Sequence, residues 1–216
     1  MATVGALFDL DGVLIDSERL YTEFYRQLGI DYHIPDDNFA MNIKGSTIEK
    51  ILSTYFPSPE DSADVLARIN KFEAEMDYPL CEGVIDFLVE LRERGVKTAI
   101  VTSSSNDKMN KLWRLHPELR EYFDAIVTGS DVQRSKPDPQ GYQMAAERVG
   151  CASEDCYVFE DSEAGLEAGM AAGSVVVGLA TTLPAERIKD KAHIVIDTFA
   201  GFSVDDMLAA GANARL

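Results

Sequence analysis

The pattern of apolar and polar positions divides this chain into strand-like runs and helix-like stretches. An apolar run beginning at Val4 ends abruptly at Asp9 and Asp11, with Gly12 directly behind them. Such a run is typical of a buried strand that carries two carboxylates at its carboxyl end. Because side chains alternate along a strand, Asp9 and Asp11 are expected to point the same way. Asp-Gly is also a common turn dipeptide, so a plain strand end is the alternative interpretation.

From residue 17 the apolar spacing becomes that of amphipathic helices. Large apolar residues recur at helical spacing over 21–28, and Gly29 predicts the end of this first helix. The spacing of a capping box predicts a second helix starting at Ser46, and the Ser-Pro pair at Ser58 predicts a third. No strand-like run interrupts these helices before residue 79.

Residues 17–78 are therefore predicted to form a small helical domain inserted after the first strand. The alternative is that these helices are ordinary crossovers packed directly on a sheet. That alternative is weaker, because a whole strand–helix–strand unit needs only about thirty residues and this stretch has about sixty. The remaining residues, 1–16 and 79–216, are predicted to form a single core domain.

After residue 79 helix-like and strand-like stretches alternate regularly. The predicted strands are 96–102, 125–128, 157–161 and 175–178, and the predicted helices are 84–91, 106–115, 142–149 and 162–172. Strands joined by helix-length crossovers indicate an α/β fold with a parallel sheet covered by helices on both faces. Glycines recur every four residues at 165, 169 and 173, which predicts that the last of these helices packs closely on the sheet.

Polar residues suited to chemistry follow four of the predicted strands. They are Asp9 and Asp11, Thr102, Lys136, and Glu160 with Asp161. In parallel sheets ligands bind beyond the carboxyl ends of the strands, so these side chains are expected to meet at one edge. A solvated loop position is the ordinary interpretation of a lysine such as Lys136. Here Asp138 and Pro139 follow it and are suited to begin a helix, which favours a fixed, functional position.

In their order and spacing these segments resemble the four motifs of the haloacid dehalogenase superfamily. The matching segments are 9–12, 100–103, 135–139 and 160–161, and the resemblance is to the phosphatase and β-phosphoglucomutase branch with a helical cap. It implies a Rossmann-like parallel-sheet core with a small inserted α-helical cap domain. It also implies a Mg²⁺-dependent hydrolase that releases phosphate from a small phosphorylated metabolite through an aspartyl phosphate.

The resemblance also implies roles for the four carboxylates. Asp9 would be the nucleophile that accepts the phosphoryl group, and Asp11 would be the general acid and base. Mg²⁺ would be held by Asp9, by the backbone carbonyl of Asp11 and by Asp161, which suits the preference of this ion for oxygen ligands. Glu160 would be an additional ligand, either direct or through water.

Other residues would bind the substrate. By the same resemblance Lys136 and Thr102 would contact the oxygens of the transferred phosphoryl group, and Ser103 is the best further candidate for a phosphate contact. Lys44 and Ser46 lie in the loop of the helical domain that is expected to reach toward the substrate. They give no indication of which metabolite binds.

Three other functions remain open. Relatives with β-phosphoglucomutase activity carry a histidine and an arginine where this chain has Tyr21 and Ile48, so hydrolysis is favoured over phosphoryl transfer. Dehalogenases on the same fold need neither Asp11 nor a metal. A binding protein could use Asp9 as a phosphoacceptor without turnover.

The segment 16–21 is similar to the corresponding part of pseudouridine-5′-phosphate and sugar-phosphate phosphatases, which favours a sugar phosphate or a nucleoside monophosphate as substrate.

The amino-acid composition limits which binding partners and which cellular compartment are expected. With 37 acidic and 20 basic residues the formal charge is −17, which argues against binding to nucleic acid or to anionic membranes. The three cysteines, Cys81, Cys151 and Cys156, have no ligand spacing and are expected to be reduced thiols. Asp9 lies too near the start for a cleavable signal to precede the first strand, and no apolar run approaches the length of a membrane span. We expect a cytoplasmic protein that is a monomer or a weak homodimer.

Overall fold

A computed structural model describes residues 3–43, 48–104 and 106–214. The chain divides into two compact units, one formed by Met1–Asp16 with Tyr78–Leu216 and the other by Ser17–Asp77. Tyr78, which the sequence pattern assigns to the inserted segment, belongs to the first unit. The physical reason is that its carbonyl oxygen lies 2.8 Å from Nε2 of His116 in that unit.

The first unit is built on a parallel sheet. Its strands are β1 (Gly5–Phe8), β2 (Lys97–Val101), β3 (Ala125–Val127), β4 (Cys156–Glu160), β5 (Val175–Leu179) and β6 (Ile194–Ile196). They form one six-stranded sheet in the order β3-β2-β1-β4-β5-β6. The strand β1 lies in the middle, with Phe8 in register with Ile100 on one side and Phe159 on the other. The predicted fold class, an α/β parallel-sheet core with an inserted helical segment, is confirmed.

Helices cover the sheet and make up the second unit. Those of the second unit are α1 (Ser17–Asp31), α2 (Phe39–Asn42), α3 (Ile48–Tyr55) and α4 (Pro59–Glu75). Those of the first unit are α5 (Val84–Glu93), α6 (Asn106–Leu115), α7 (Gln140–Val149), α8 (Glu163–Ala171), α9 (Ala185–Ile188) and α10 (Val204–Ala214). The predicted start of α4 is confirmed, because the side chain of Ser58 accepts a hydrogen bond from the N–H of Asp61 and Pro59 opens the helix.

The prediction that α1 ends at Gly29 is wrong. The helix continues to Asp31, and Gly29 serves a packing role instead. A Cβ at this position would lie 2.9 Å from a ring carbon of Phe39, so the glycine makes room for that ring. The second unit has its own buried cluster, which includes Leu28, Phe56 and Ile69 together with Phe39. None of the helices in the described part of the chain is long and apolar enough to cross a membrane.

The two faces of the sheet are packed differently. On one face the rings of Phe8 and Phe159 stack with their centroids 4.6 Å apart. On the other face β1, β4 and β5 present aliphatic side chains to α7 and α8. The predicted close packing of α8 is confirmed at Gly169, where a Cβ would lie 2.9 Å from Val158 and 3.0 Å from Val176. Both faces are therefore dry, which fixes the strand ends beneath the candidate site.

Candidate active site

The carboxylates at the ends of two neighbouring strands converge. Asp9 follows β1 directly, and its N–H donates to the carbonyl of Phe159 in β4 at 3.0 Å. Glu160 is the last residue of β4, and Asp161 follows it. One carboxylate oxygen from each of Asp9, Glu160 and Asp161 lies within 4.8 Å of the other two. Three buried carboxylates this close together are a suitable oxygen site for a divalent cation.

Lys136 joins two of these carboxylates. Its ammonium donates to the carboxylate of Asp9, to Oε1 of Glu160 at 2.6 Å and to the carbonyl of Val101 at 3.0 Å. Burial alone would lower the pKa of Lys136, but the charges of Asp9 and Glu160 outweigh burial and hold this pKa above its usual range. Lys136 is therefore a fixed positive charge beside the predicted nucleophile.

A single lysine does not balance the acidic groups. The pKa of Asp9 is raised to about 7, mainly by burial and also by the neighbouring carboxylates of Glu160 and Asp11, against the opposing effect of the Lys136 ammonium. The physical cause is the cost of taking negative charge out of water. A further cation at this edge of the sheet would stabilise the ionised form of Asp9, which the predicted role as nucleophile requires.

Glu160 is held by a network of donors. Its Oε1 accepts a hydrogen bond from the Tyr142 hydroxyl at 2.9 Å in addition to that from Lys136. Its Oε2 accepts from the N–H of Asp161 and from the N–H and hydroxyl of Ser162, at 3.1, 3.1 and 3.0 Å. These five bonds use the acceptor capacity of a fully buried carboxylate. The network orients Glu160 firmly and leaves little capacity for direct metal binding.

Two features fix Asp161. Gly12 has a φ of +73°, and a Cβ there would lie 2.0 Å from Oδ2 of Asp161, so both the backbone and the space require glycine. The hydroxyl of Thr182 donates to the same Oδ2, and the hydroxyl of Thr181 donates to the carbonyl of Gly12 at 2.6 Å. The loop after β5 therefore holds both Asp161 and the turn that follows Asp9.

Asp11 has a different environment from Asp9. The strand β1 ends at Phe8, so the predicted alternation does not extend to Asp11, which lies in the following turn. Its two carboxylate oxygens lie 2.5 and 2.6 Å from Nζ of Lys108, and the hydroxyl of Ser104 donates to Oδ2 at 3.2 Å. The Asp11 carboxylate is outside the cluster of three that the described residues form. Whether its backbone carbonyl binds a metal stays a prediction.

The other predicted substrate contacts, apart from Lys136, lie on the loop after β2 or outside the described residues. Thr102 is buried, and its hydroxyl oxygen accepts the N–H of Ser104 at 3.0 Å. Because the oxygen acts as acceptor in that bond, the hydroxyl hydrogen can be donated to a bound anion. Ser103 is exposed beside it. Lys44 and Ser46 lie outside the described residues, so their predicted substrate contacts stay predictions.

The sequence reasoning missed several side chains of this network, among them Lys108, Tyr142 and Thr182. Lys108 lies on an amphipathic helix, where a lysine indicates only a polar face. Tyr142 falls on the apolar face of α7, and that position already explains it as a packing residue. Thr182 comes shortly after β5, so the rule that identifies the other strand-end residues could have indicated it as well.

Known proteins resemble this chain over most of its length. Residues 6–179 match a family model described as haloacid dehalogenase-like hydrolase. The chain is 32% identical to validoxylamine A 7′-phosphate phosphatase of Streptomyces hygroscopicus subsp. limoneus, in an alignment that covers 86% of this chain and 89% of that protein. It is also 32% identical to the phosphorylated carbohydrates phosphatase of Thermotoga maritima, with 77% of this chain and 80% of that protein covered.

A solved structure gives the same relationship. A HAD family hydrolase of Deinococcus radiodurans R1, solved with bound phosphate and sodium, matches with a TM-score of 0.83 at 29% identity. The match covers 97% of this chain and 96% of that one. The stretch matched by the family model, residues 6–179, contains the strand-end residues from Asp9 to Asp161.

Proposed function

Because the chain belongs to the haloacid dehalogenase-like hydrolases, we propose that it hydrolyses a phosphate ester of a small metabolite with Asp9 as the nucleophile. The predicted enzyme class, a phosphatase of this superfamily, is confirmed by the family match and by the phosphatases among its relatives. The proposed site is supported by one observation above all. Three buried carboxylates and the Lys136 ammonium meet at the ends of two neighbouring strands.

The proposed cofactor is Mg²⁺, because the donor set consists of hard oxygen ligands. Asp9 and Asp161 would hold it together with the backbone carbonyl of Asp11. Glu160 would contribute mainly its negative charge, since its oxygens already accept five hydrogen bonds. When bound, the ion supplies positive charge that offsets the repulsion between a phosphate dianion and a carboxylate nucleophile.

In the first proposed step a carboxylate oxygen of Asp9 attacks phosphorus. The bond between phosphorus and the leaving oxygen breaks, and Asp11 gives that oxygen a proton. Lys136 already contacts the carboxylate to which the phosphoryl group would be attached, so it is placed to hold the phosphoryl oxygens. The hydroxyl of Thr102 would donate to another of these oxygens.

In the second step water attacks phosphorus of the aspartyl phosphate. Asp11, now ionised, takes the proton that the water loses, the bond between phosphorus and the Asp9 oxygen breaks, and inorganic phosphate leaves. The same carboxyl group thus serves as acid in the first step and as base in the second. Asp9 is regenerated as a carboxylate, and no net redox change occurs.

For the substrate we propose a phosphorylated carbohydrate. The support is that one relative is named as a phosphatase of phosphorylated carbohydrates and another acts on validoxylamine A 7′-phosphate. Lys44 and Ser46 of the inserted segment are the proposed contacts for the non-phosphate part of the substrate. We also propose the cytoplasm as the compartment, since Cys81, Cys151 and Cys156 are free thiols.

The test is phosphate release by the purified protein. An aryl phosphate and a panel of phosphorylated sugars would be assayed with excess Mg²⁺ between about pH 5 and pH 9, a range that spans carboxylate and histidine titration. We expect turnover that EDTA abolishes and added Mg²⁺ restores, with at least one phosphorylated sugar preferred over the aryl ester. No release across this range would contradict the proposal. A stable phosphoenzyme without turnover would favour a sensor, and EDTA-resistant chloride release from a haloacid would favour a dehalogenase.

A further inference from the structure

The lysine on α6 that contacts Asp11 is the most informative feature outside the predicted motifs. Nζ of Lys108 lies 2.5 Å from Oδ1 and 2.6 Å from Oδ2 of Asp11, so it contacts both oxygens of one carboxylate. The two side chains are only partly exposed, at 22% for Lys108 and 29% for Asp11. A charged contact of this kind favours orientations in which the carboxylate faces the ammonium.

Asp11 needs such a restraint more than Asp9 does. Asp9 follows directly on the central strand, and its N–H is bonded to the neighbouring strand. Asp11 lies beyond the end of β1, in a turn, and the hydroxyl of Ser104 reaches its carboxylate at 3.2 Å. The contact from Lys108 is shorter than that from Ser104, involves both oxygens and carries a charge, so it contributes more than Ser104 to the orientation of the Asp11 side chain.

The ring of Tyr78 gives α6 a second connection to the same region. The ammonium groups of Lys108 and Lys111 lie 5.7 and 4.6 Å from the centroid of this ring. Lys111 is one turn further along α6. Both lysines thus lie over the ring, and Lys108 in addition contacts the carboxylate of Asp11. This pair of neighbouring lysines offers a matched comparison on one helix.

We propose that Lys108 is a positioning residue for the reaction, which holds the Asp11 carboxylate where it can exchange a proton with the leaving oxygen and with the attacking water. The inference rests on the proposed function, because it assigns Asp11 the acid–base role. Proton transfer requires the two heavy atoms to be within hydrogen-bond reach, and small misplacements are costly in rate. Lys108 therefore acts through Asp11 and need not touch the substrate.

The expected consequence is a loss in kcat without a matching change in KM. Lys108→Met should lower kcat by about tenfold, with a larger loss for an alkyl phosphate, whose leaving oxygen needs the proton, than for an aryl phosphate. Lys108→Arg should restore most of the activity, because a guanidinium also pairs with both oxygens of a carboxylate. Lys111→Met should stay within about twofold of the wild type.

The decisive measurement is a double-mutant cycle with Asp11→Asn, using Mg²⁺-saturated enzyme and the aryl phosphate. If Lys108 acts through Asp11, Lys108→Met should cause no further loss once Asp11 is Asn. A loss of the same factor in both backgrounds, or a raised KM with unchanged kcat, would overturn the inference. Lys108→Gln provides a second neutral variant if Lys108→Met fails to fold, and thermal melts verify folding. An inactive wild type would overturn the proposed function and this inference with it, whereas fully active lysine variants would overturn this inference alone.

Discussion

Two halves of the candidate site use the same kind of ion pair in different surroundings. On the inner half, Lys136 pairs with Asp9 and Glu160, and the three side chains are 12%, 12% and 0% exposed. On the outer half, Lys108 pairs with Asp11, and these side chains are 22% and 29% exposed. Breaking a buried pair leaves a charge without compensation, at a cost of about 3–5 kcal/mol, whereas an exposed pair contributes about 1 kcal/mol or less. Substitutions in the inner half are therefore expected to lower both stability and activity. Substitutions in the outer half are expected to lower activity with little effect on stability.

The largest expected effect is that of Asp9→Asn. An amide cannot serve as the carboxylate nucleophile, so kcat should fall by at least about 10⁴-fold on every phosphate ester. Folding should persist, because Glu160 still pairs with the Lys136 ammonium. Phosphate release and a thermal melt of the same sample would check both expectations. Turnover within tenfold of the wild type would remove Asp9 from the mechanism.

Asp11→Asn should have a smaller effect that depends on the leaving group. General acid–base catalysis contributes about 10²–10⁴-fold, so kcat on an alkyl phosphate should fall by about 10³-fold. On an aryl phosphate, whose leaving oxygen scarcely needs a proton, the loss in the first step should be much smaller. Rapid-quench kinetics of phosphoenzyme formation would separate the two steps. Equal losses of the first-step rate for both esters would contradict the acid role of Asp11.

The two lysines should differ in their effect on stability. Lys136→Met leaves Asp9 and Glu160 buried without their shared cation, so the free energy of unfolding should fall by about 3–4 kcal/mol in the absence of metal. Lys108→Met, the matched substitution on the outer half, should cost about 1 kcal/mol or less. Urea unfolding of both variants in EDTA measures the difference directly. Equal losses in the free energy of unfolding would show that the deeper burial of the Lys136 pairs does not make them more important for stability than the Lys108 pair.

The ion pair between Asp131 and Arg148, which lies outside the site, gives a reference for the stability contribution of a partly exposed pair. Oδ1 of Asp131 lies 2.8 Å from the Arg148 guanidinium, and Oδ2 accepts the N–H and hydroxyl of Thr128, also at 2.8 Å. The bond from Arg148 is the main reason that the pKa of Asp131 falls to about 2, below the ordinary value of 3.8. A lowered carboxyl pKa stabilises the fold above the unfolded pKa, and that stability is lost as the pH falls through the folded value.

Asp131→Asn should therefore show a small and pH-dependent cost. Both side chains are about one-third exposed, so solvent screening reduces the expected loss to about 1 kcal/mol at pH 7. At pH 3, between the two pKa values, about half of this difference should remain. Urea unfolding at the two pH values provides the measurement. A cost that stays constant with pH would show that the carboxylate charge does not contribute.

Sequence reasoning predicts the inner half of the site better than the outer half. Asp9, Glu160 and Asp161 each end or follow an apolar run, and a change from apolar to charged residues at a strand end is visible in the sequence. For Lys136 the signal is that a helix begins shortly after it, which indicates a fixed position for the lysine. These signals are local, so they require no knowledge of which elements pack together.

The remaining contacts depend on tertiary structure. Lys108 contacts Asp11 across 97 positions of sequence, and no local pattern distinguishes it from Lys111 on the same helix. The strand β6 has only three residues, which is too short to show an alternation. Gly29 indicates a helix end by local propensity, but tertiary packing of Phe39 overrides that preference.

The stacked rings of Phe8 and Phe159 help to fix the distance between β1 and β4 at the base of the site. These two residues are register partners on adjacent strands, so the next residues, Asp9 and Glu160, are separated by the interval between strands, which is about 4.8 Å in any sheet. Changing that interval would require unstacking the rings and breaking the ladder. The connecting loops can therefore change in length or sequence while the spacing between Asp9 and Glu160 stays the same.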